Sequence, residues 1–255
     1  VDTEECRIAK VNDSILEEFH IERATKEITH GNIYKGIITR VEPSLQAVFV
    51  DYGAEKNGFL QKPEIHSDYY HDHSGDNSIK NLVKRGQEVV VQVTKDPYMK
   101  KGAMLTTFIS LPGRHMVLMP GSESRGISRK IEDPEERNRL KDIIINLKIP
   151  EQFGIIVRTA GESCTKTMIS KDLNYLLRLW KKIKESVMTV DAPALLYKER
   201  NLIVRSIRDY FNKDVNEILV DDPTAHREAR EFMQIISPKH AKIVKLHRGP
   251  KPIFT

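Results

Sequence analysis

From Ala47 to Tyr52 apolar and mixed positions alternate, so an extended backbone turns Val48, Val50 and Tyr52 to one face and Ala47, Phe49 and Asp51 to the other. Short stretches of strand-forming residues recur at 33–41, 46–52, 88–94 and 103–109, with Gly and Pro between them, and predict a small all-β barrel from Gly31 to about Phe108. A polar run from Pro63 to Asn81 interrupts it and is predicted to be a surface loop. Two strands, 7–11 and 15–21, precede the barrel and meet at the turn signal Asn12-Asp13-Ser14.

After the barrel the period lengthens. Strands at 115–119 and 153–157 flank a helix whose start is marked by Asp133 as cap, Pro134 in the first helical position and Glu136 three residues after the cap; it is predicted to run to about 148. Over 170–187, Leu173, Leu176, Leu177, Trp180, Ile183 and Val187 fall at offsets 0, 3, 4, 7, 10 and 14, a single apolar stripe that assigns the one tryptophan to the core. A helix at 201–211, a strand at 217–220, a helix at 224–236 and a strand at 241–247 alternate as in a layered α/β domain, which the opening strands could join. The barrel and everything to about residue 200 would then be an insertion.

Composition narrows the class. At 255 residues there is room for two or three domains, and with no leader or membrane span in the pattern the protein is expected to be soluble and cytoplasmic. Cys6 and Cys164 stand far apart without CxxC spacing and read as ordinary reduced residues. The net charge of +5 is unevenly spread: from Lys95 to Lys130, seven cations (Lys95, Lys100, Lys101, Arg114, Arg125, Arg129, Lys130) face two anions, Asp96 and Glu123. That local excess suits a polyanion whose counterions Lys and Arg displace, although a solvated basic loop has the same composition.

Candidate chemistry is sparse. No P-loop, GxSxG elbow or HExxH helix occurs. His66, Asp68, His71, Asp72 and His73 could ligate a metal but lack a regular ligand spacing, and a polar loop explains them as well. Asp221 and Asp222 could hold metal in a nuclease-like α/β domain, or simply cap the helix after Pro223. Phe49, a phenyl ring beside a charge on the polar face of a barrel strand, is a candidate platform for nucleic-acid bases. In Val157-Arg158-Thr159-Ala160-Gly161 an apolar strand ends in a guanidinium, a hydroxyl and a glycine, a donor set suited to phosphate oxygens that a solvated strand end would equally contain.

Taken together, Gly31-Asn32-Ile33-Tyr34-Lys35-Gly36, Glu42-Pro43-Ser44-Leu45-Gln46-Ala47-Val48-Phe49-Val50-Asp51-Tyr52-Gly53, Leu105-Thr106-Thr107, Val117-Leu118-Met119-Pro120 and Ile156-Val157-Arg158-Thr159-Ala160-Gly161 resemble the ribonuclease E/G family, in that family's order and over nearly the whole chain. The resemblance implies an α+β multidomain fold, with an S1/OB-type β-barrel and a 5′-sensor region inserted in a discontinuous RNase H-like α/β domain. The segments would be 1–28 and 204–255 for the RNase H-like domain, 29–108 for the S1 barrel and 109–203 for the sensor. It further implies that Phe49, Phe59 and Lys101 hold single-stranded RNA. Arg158 and Thr159, with backbone near Gly113 and Val117 and the neighbouring basic Arg129, would bind a 5′-monophosphate.

The family's hydrolytic carboxylates, which hold Mg²⁺, and its shared-zinc cysteine pair cannot be placed on any residue here. The chain stops at Pro252-Ile253-Phe254-Thr255, where the resemblance expects a DNase I-like catalytic domain to begin. The expectation is therefore the RNA-recognition half of a single-strand-specific endoribonuclease, homo-oligomeric at full length, whose fragment needs no cofactor and does not cleave alone. A non-catalytic S1-type RNA-binding or scaffold protein is the competing expectation.

Overall fold

The computed structural model describes residues 5–23, 29–71, 78–99, 101–199, 201–212 and 214–254. The chain divides into two compact units, Val1–Ile28 with Arg200–Thr255, and Thr29–Glu199. Among the described residues no helix is long and apolar enough to cross a membrane.

In the first unit, strands β1 (Glu5–Asn12) and β2 (Ile15–Arg23) pair antiparallel. Asp13 and Ser14, between the paired Asn12 and Ile15, both have positive φ (47° and 66°), the backbone of a primed two-residue hairpin turn.

The second unit opens with β3 (Ile33–Glu42), β4 (Ala47–Asp51) and β5 (Gly58–Gln61), followed by the short helix α1 (Ile79–Leu82), β6 (Glu88–Lys95) and β7 (Met104–Thr106). These five strands close in the order β3-β4-β5-β7-β6, with β6 returning to β3. The alternation along β4 follows the barrel wall: Val48, Val50 and Tyr52 are buried with Ile38, Leu60, Val89, Val91, Val93 and Leu105, whereas Phe49 and Asp51 keep partial exposure. β5 carries Phe59 and is not separately predicted from sequence, because four residues are too few to show a period.

The polar run after β5 is only partly a surface loop. Short 3₁₀ turns at Lys62–Glu64 and Ser67–Tyr69 and helix α1 insert Ile65, Ile79 and Leu82 into the barrel core, so apolar anchors scattered among polar residues tie the segment down. Asp72 and His73 of the candidate metal group lie outside the described residues, as does Lys100 of the basic segment.

A second sheet follows: β8 (Leu111–Pro112), β9 (Met116–Pro120), β10 (Arg125–Ile127) and, after α2 (Pro134–Ile145), β11 (Phe153–Val157). Its order is β10-β11-β9-β8. Asp133 caps α2 by accepting from Glu135 and Glu136 N–H, but the Glu136 carboxylate does not complete a capping box. It forms a two-pronged pair with Arg139 (2.7 and 2.6 Å) and accepts from Ser163 N–H. The helix ends at Ile145 rather than near 148.

Helix α3 (Lys166–Thr189) begins four residues before the predicted start at 170 because Thr165 caps it, accepting from Met168 N–H. Ile169, Leu173, Leu176 and Ile183 pack under the sheet, while Trp180, on the same stripe, packs against that core but stays half-buried, its ring being too large to be covered completely. β12 (Ala194–Tyr197) takes the edge of β3 that β4 leaves open.

Back in the first unit, α4 (Leu202–Tyr210), β13 (Ile218–Val220), α5 (Pro223–Ile236) and β14 (Val244–Leu246) surround Ile207, Phe211, Ala229, Phe232, Met233 and Val244. β13 and β14 pair parallel as a separate two-stranded sheet that β1 and β2 do not join. The strand predicted over 241–247 is three residues long. Its first part belongs instead to the 3₁₀ turn Pro238–Ile243, where Pro238 removes a ladder donor and starts a helical turn.

One glycine limits the barrel locally. A Cβ on Gly102, between Lys101 and β7, would lie 2.0 Å from the backbone oxygen of Asn57. Gly102→Ala is expected to destabilise the chain by about 1–3 kcal/mol through overpacking, read as a lower urea midpoint; an unchanged midpoint would show that the two segments separate freely.

Candidate nucleic-acid interface

On the outer wall of the barrel, Phe49 of β4 and Phe59 of β5 are directly opposed across the antiparallel pair. Their half-exposed rings are 5.6 Å apart between centroids and tilted by 58°. Such cross-strand aromatic pairs add stability, but a ring needed only for packing would be turned inward with Val48 and Leu60. A register shift between Ile38 and Arg40 brings Arg40 opposite Phe49 and lays its guanidinium carbon 4.5 Å from the ring centroid. Bulges re-aim side chains in this way. The bulge residue, Thr39, donates its hydroxyl to Phe49 C=O (3.1 Å) and accepts from the Asn57 side chain (2.8 Å).

Lys101 stands in the reversal between β6 and β7, where its N–H and C=O bridge to Tyr98. Met104, three residues on, pairs with Phe59. The exposed lysine therefore enters from the strand connection beside the aromatic pair, together with exposed Tyr98 and Met99.

The other predicted group gathers at one end of the second sheet. β11 runs antiparallel to β9, pairing Val157 with Met116, and parallel to β10, pairing Val157 with Ile127. The turn before β9 and the residues after β10 and β11 consequently emerge together: Gly113 to His115, Ser128-Arg129 and Arg158-Thr159. Ser128 N–H donates to Val157 C=O (2.8 Å), which carries exposed Arg129 to the same edge. Arg158 Nη1 donates to Gly113 C=O (2.9 Å), Arg158 N–H donates to His115 C=O (2.8 Å), and Thr159 is exposed. Val117 lies one pair further in, opposite Ile156. Gly113 N–H is taken by Met116 C=O, so what Gly113 offers this group is its carbonyl and its lack of a side chain.

Beneath that edge, Asp172 of α3 and His115 are functional candidates absent from the sequence reading. Asp172 accepts from the N–H groups of Arg114, His115 and Met116. Its signal was a carboxylate on the buried stripe of Ile169, Leu173 and Leu176. Buried His115 joins Ala160 C=O through Nδ1 (2.8 Å), with Cys164 Sγ 3.4 Å from the same nitrogen. Burial holds the imidazole pKa below its ordinary 6.5.

Residues 110–255, more than half of the chain, match the family described as Ribonuclease E/G family. The chain belongs to the ribonuclease E/G family. Residues 27–107 of this family member match the S1 RNA binding domain. It is 44% identical over 256 residues to ribonuclease E of Haemophilus influenzae, covering 99% of this chain and 27% of that protein. To ribonuclease E of Escherichia coli it is 43% identical over 257 residues, covering 99% and 24%. To ribonuclease G of Haemophilus influenzae it is 39% identical over 256 residues, covering 98% and 52%. The chain thus spans about a quarter of the length of these ribonuclease E proteins and about half of the ribonuclease G.

Within this ribonuclease E/G chain, the candidate metal ligand Asp222 takes the capping role. Asp222 spends an oxygen on Ala225 N–H (2.7 Å) as the cap of α5, and no group of three His, Cys, Asp or Glu among the described residues is placed to hold a metal.

The His115 environment carries a pH dependence. An unfolded histidine takes up a proton near 6.5, whereas buried His115 resists it, so stability is complete above that pH and falls as pH drops below it. The difference between wild type and His115→Gln, from urea denaturation at pH 7.5 and 5.5, should shrink at the lower pH; a constant difference would contradict the assignment.

Proposed function

We propose that this chain is the RNA-recognition part of an endoribonuclease of the E/G type, one that grips single-stranded RNA on the S1 barrel and inspects a 5′-monophosphate at the end of the neighbouring sheet. The observation that carries the reading is the pair Phe49–Phe59, two opposed, half-exposed rings on the outer wall of a barrel whose core is complete without them. Successive bases stack on such rings without regard to sequence, while Lys101 and Arg40 neutralise backbone phosphate. The gathering of Arg158, Thr159 and Arg129 at one sheet edge supports the second half: a terminal monophosphate carries more charge than an internal phosphodiester, and a guanidinium beside a hydroxyl matches its oxygens.

In this reading the units divide into an S1 barrel, a 5′-sensor and an RNase H-like domain built from both chain ends. Cleavage by the longer family proteins draws on Mg²⁺-binding carboxylates outside the described residues, in a homo-oligomer. The chain's own residues bind and orient the strand.

Two variants separate the functions. Phe49→Ala with Phe59→Ala is expected to weaken binding of a 5′-hydroxyl oligoribonucleotide at fixed salt by about 1–3 kcal/mol per ring, measured by fluorescence anisotropy; unchanged affinity sinks the stacking role. Arg158→Ala is expected to remove the preference for a 5′-monophosphate over a 5′-hydroxyl end and leave 5′-hydroxyl binding intact. If the preference survives that substitution, Arg158 is not the sensor.

A further inference from the structure

We infer that Asp172 is the positioning residue of the phosphate pocket: its carboxylate organises the turn whose Gly113 carbonyl aims the Arg158 guanidinium. The inference rests on the sensor reading above and adds to it a residue on another element, helix α3, that does not touch the RNA.

The geometry forms one continuous path. Asp172 Oδ1 accepts from Arg114 N–H (3.2 Å), and Oδ2 accepts from His115 N–H (2.7 Å) and Met116 N–H (3.1 Å). Three successive backbone donors converging on one anion form the concavity that elsewhere binds phosphate, and here the protein fills it with its own carboxylate. The contact is close enough to dictate the next residue: a Cβ on Gly113 would lie 2.6 Å from Oδ2 and 2.8 Å from Oδ1. Gly113 then closes the turn by donating to Met116 C=O (2.8 Å) and accepts from Arg158 Nη1 at 2.9 Å.

Two further struts run from the same turn to the same segment. Arg158 N–H donates to His115 C=O, and His115 Nδ1 meets Ala160 C=O, each at 2.8 Å. Residues 158–160 are therefore held at three points by a turn that is itself held by Asp172. A guanidinium is planar, so tying one N–H to a stationary carbonyl constrains the direction of the whole fork. The N–H groups of the turn are already committed, so Asp172 contributes by orientation and not by presenting donors to the ligand.

The side-chain chemistry makes this specific to a carboxylate. Asn at position 172 has a single acceptor oxygen and would turn an NH₂ group toward at least one of the three backbone donors. The test compares anisotropy of a short oligoribonucleotide bearing a 5′-monophosphate with the same sequence bearing a 5′-hydroxyl, for wild type, Asp172→Asn and Asp172→Ala, the last also with added formate. Asp172→Asn is expected to lower the 5′-monophosphate preference about tenfold, the scale of one charge-assisted hydrogen bond, with 5′-hydroxyl affinity at the wild-type value. Asp172→Ala should behave alike, and formate, a carboxylate small enough to re-enter the turn, should restore part of the preference. An Asp172→Asn protein that keeps the wild-type ratio overturns the inference. So does one that loses affinity for both ends in parallel, or an Asp172→Ala protein on which formate has no effect. A wild-type chain with no preference at all overturns the sensor reading and, with it, this inference.

Discussion

Strand β11 hydrogen-bonds β9 in the antiparallel sense and β10 in the parallel sense, and the candidate phosphate site depends on that choice of partners. Because Val157 is the last paired residue toward both neighbours, the segments that follow β10 and β11 and the turn that precedes β9 must share one sheet edge. Residues separated by 45 positions, Gly113 and Arg158, then lie within one hydrogen bond of each other. Reversing either pairing would scatter the same side chains to opposite ends. The buried run of Met116, Leu118, Ile155 and Val157 against Leu140, Leu173 and Leu176 holds this register, since a slip of one residue would turn these side chains out of the core.

The barrel works by the same means on a smaller scale. Closure through β3–β6 fixes which side of each strand faces the core, and Phe49 and Phe59 follow as outward neighbours because Val48 and Leu60 are inward ones. Local departures from regular structure then set the chemistry: the irregularity at Thr39 delivers Arg40 to the Phe49 ring, and Gly102 lets the Lys101 reversal approach Asn57. Both candidate surfaces belong to the unit Thr29–Glu199, so under the proposed function one strand would meet both within a single body.

Much of this was legible in the sequence where a period or a cap repeats. The alternation over β4, the stripe over α3 and the cap and proline that open α2 each follow from local chemistry. What escaped was set by neighbours. β5 and β12 are too short to show a period and exist because a partner edge awaits them. Glu136 looks like a capping-box residue until Arg139 and Ser163 are seen to claim it. The polar run after β5 reads as loop because its buried residues, Ile65 and Ile79, are single anchors rather than a pattern. Asp172 was a polar interruption of an apolar stripe, and only the turn folded against it explains why a carboxylate is there. The family resemblance supplied Phe59, Gly113 and Val117, which composition and spacing do not single out, and chose Lys101 from the seven cations of the basic segment.

The central claim is that one unit reads a strand and its end at separate surfaces. Amide chemical shifts of the isotopically labelled chain, titrated with one short RNA carrying either a 5′-monophosphate or a 5′-hydroxyl, test it most directly. The account predicts that both ligands perturb residues around Phe49, Phe59 and Lys101, and that only the monophosphate perturbs Gly113 to Val117 and Arg158 to Gly161. Identical perturbation by the two ends, or shifts at the sheet edge with neither, would contradict it.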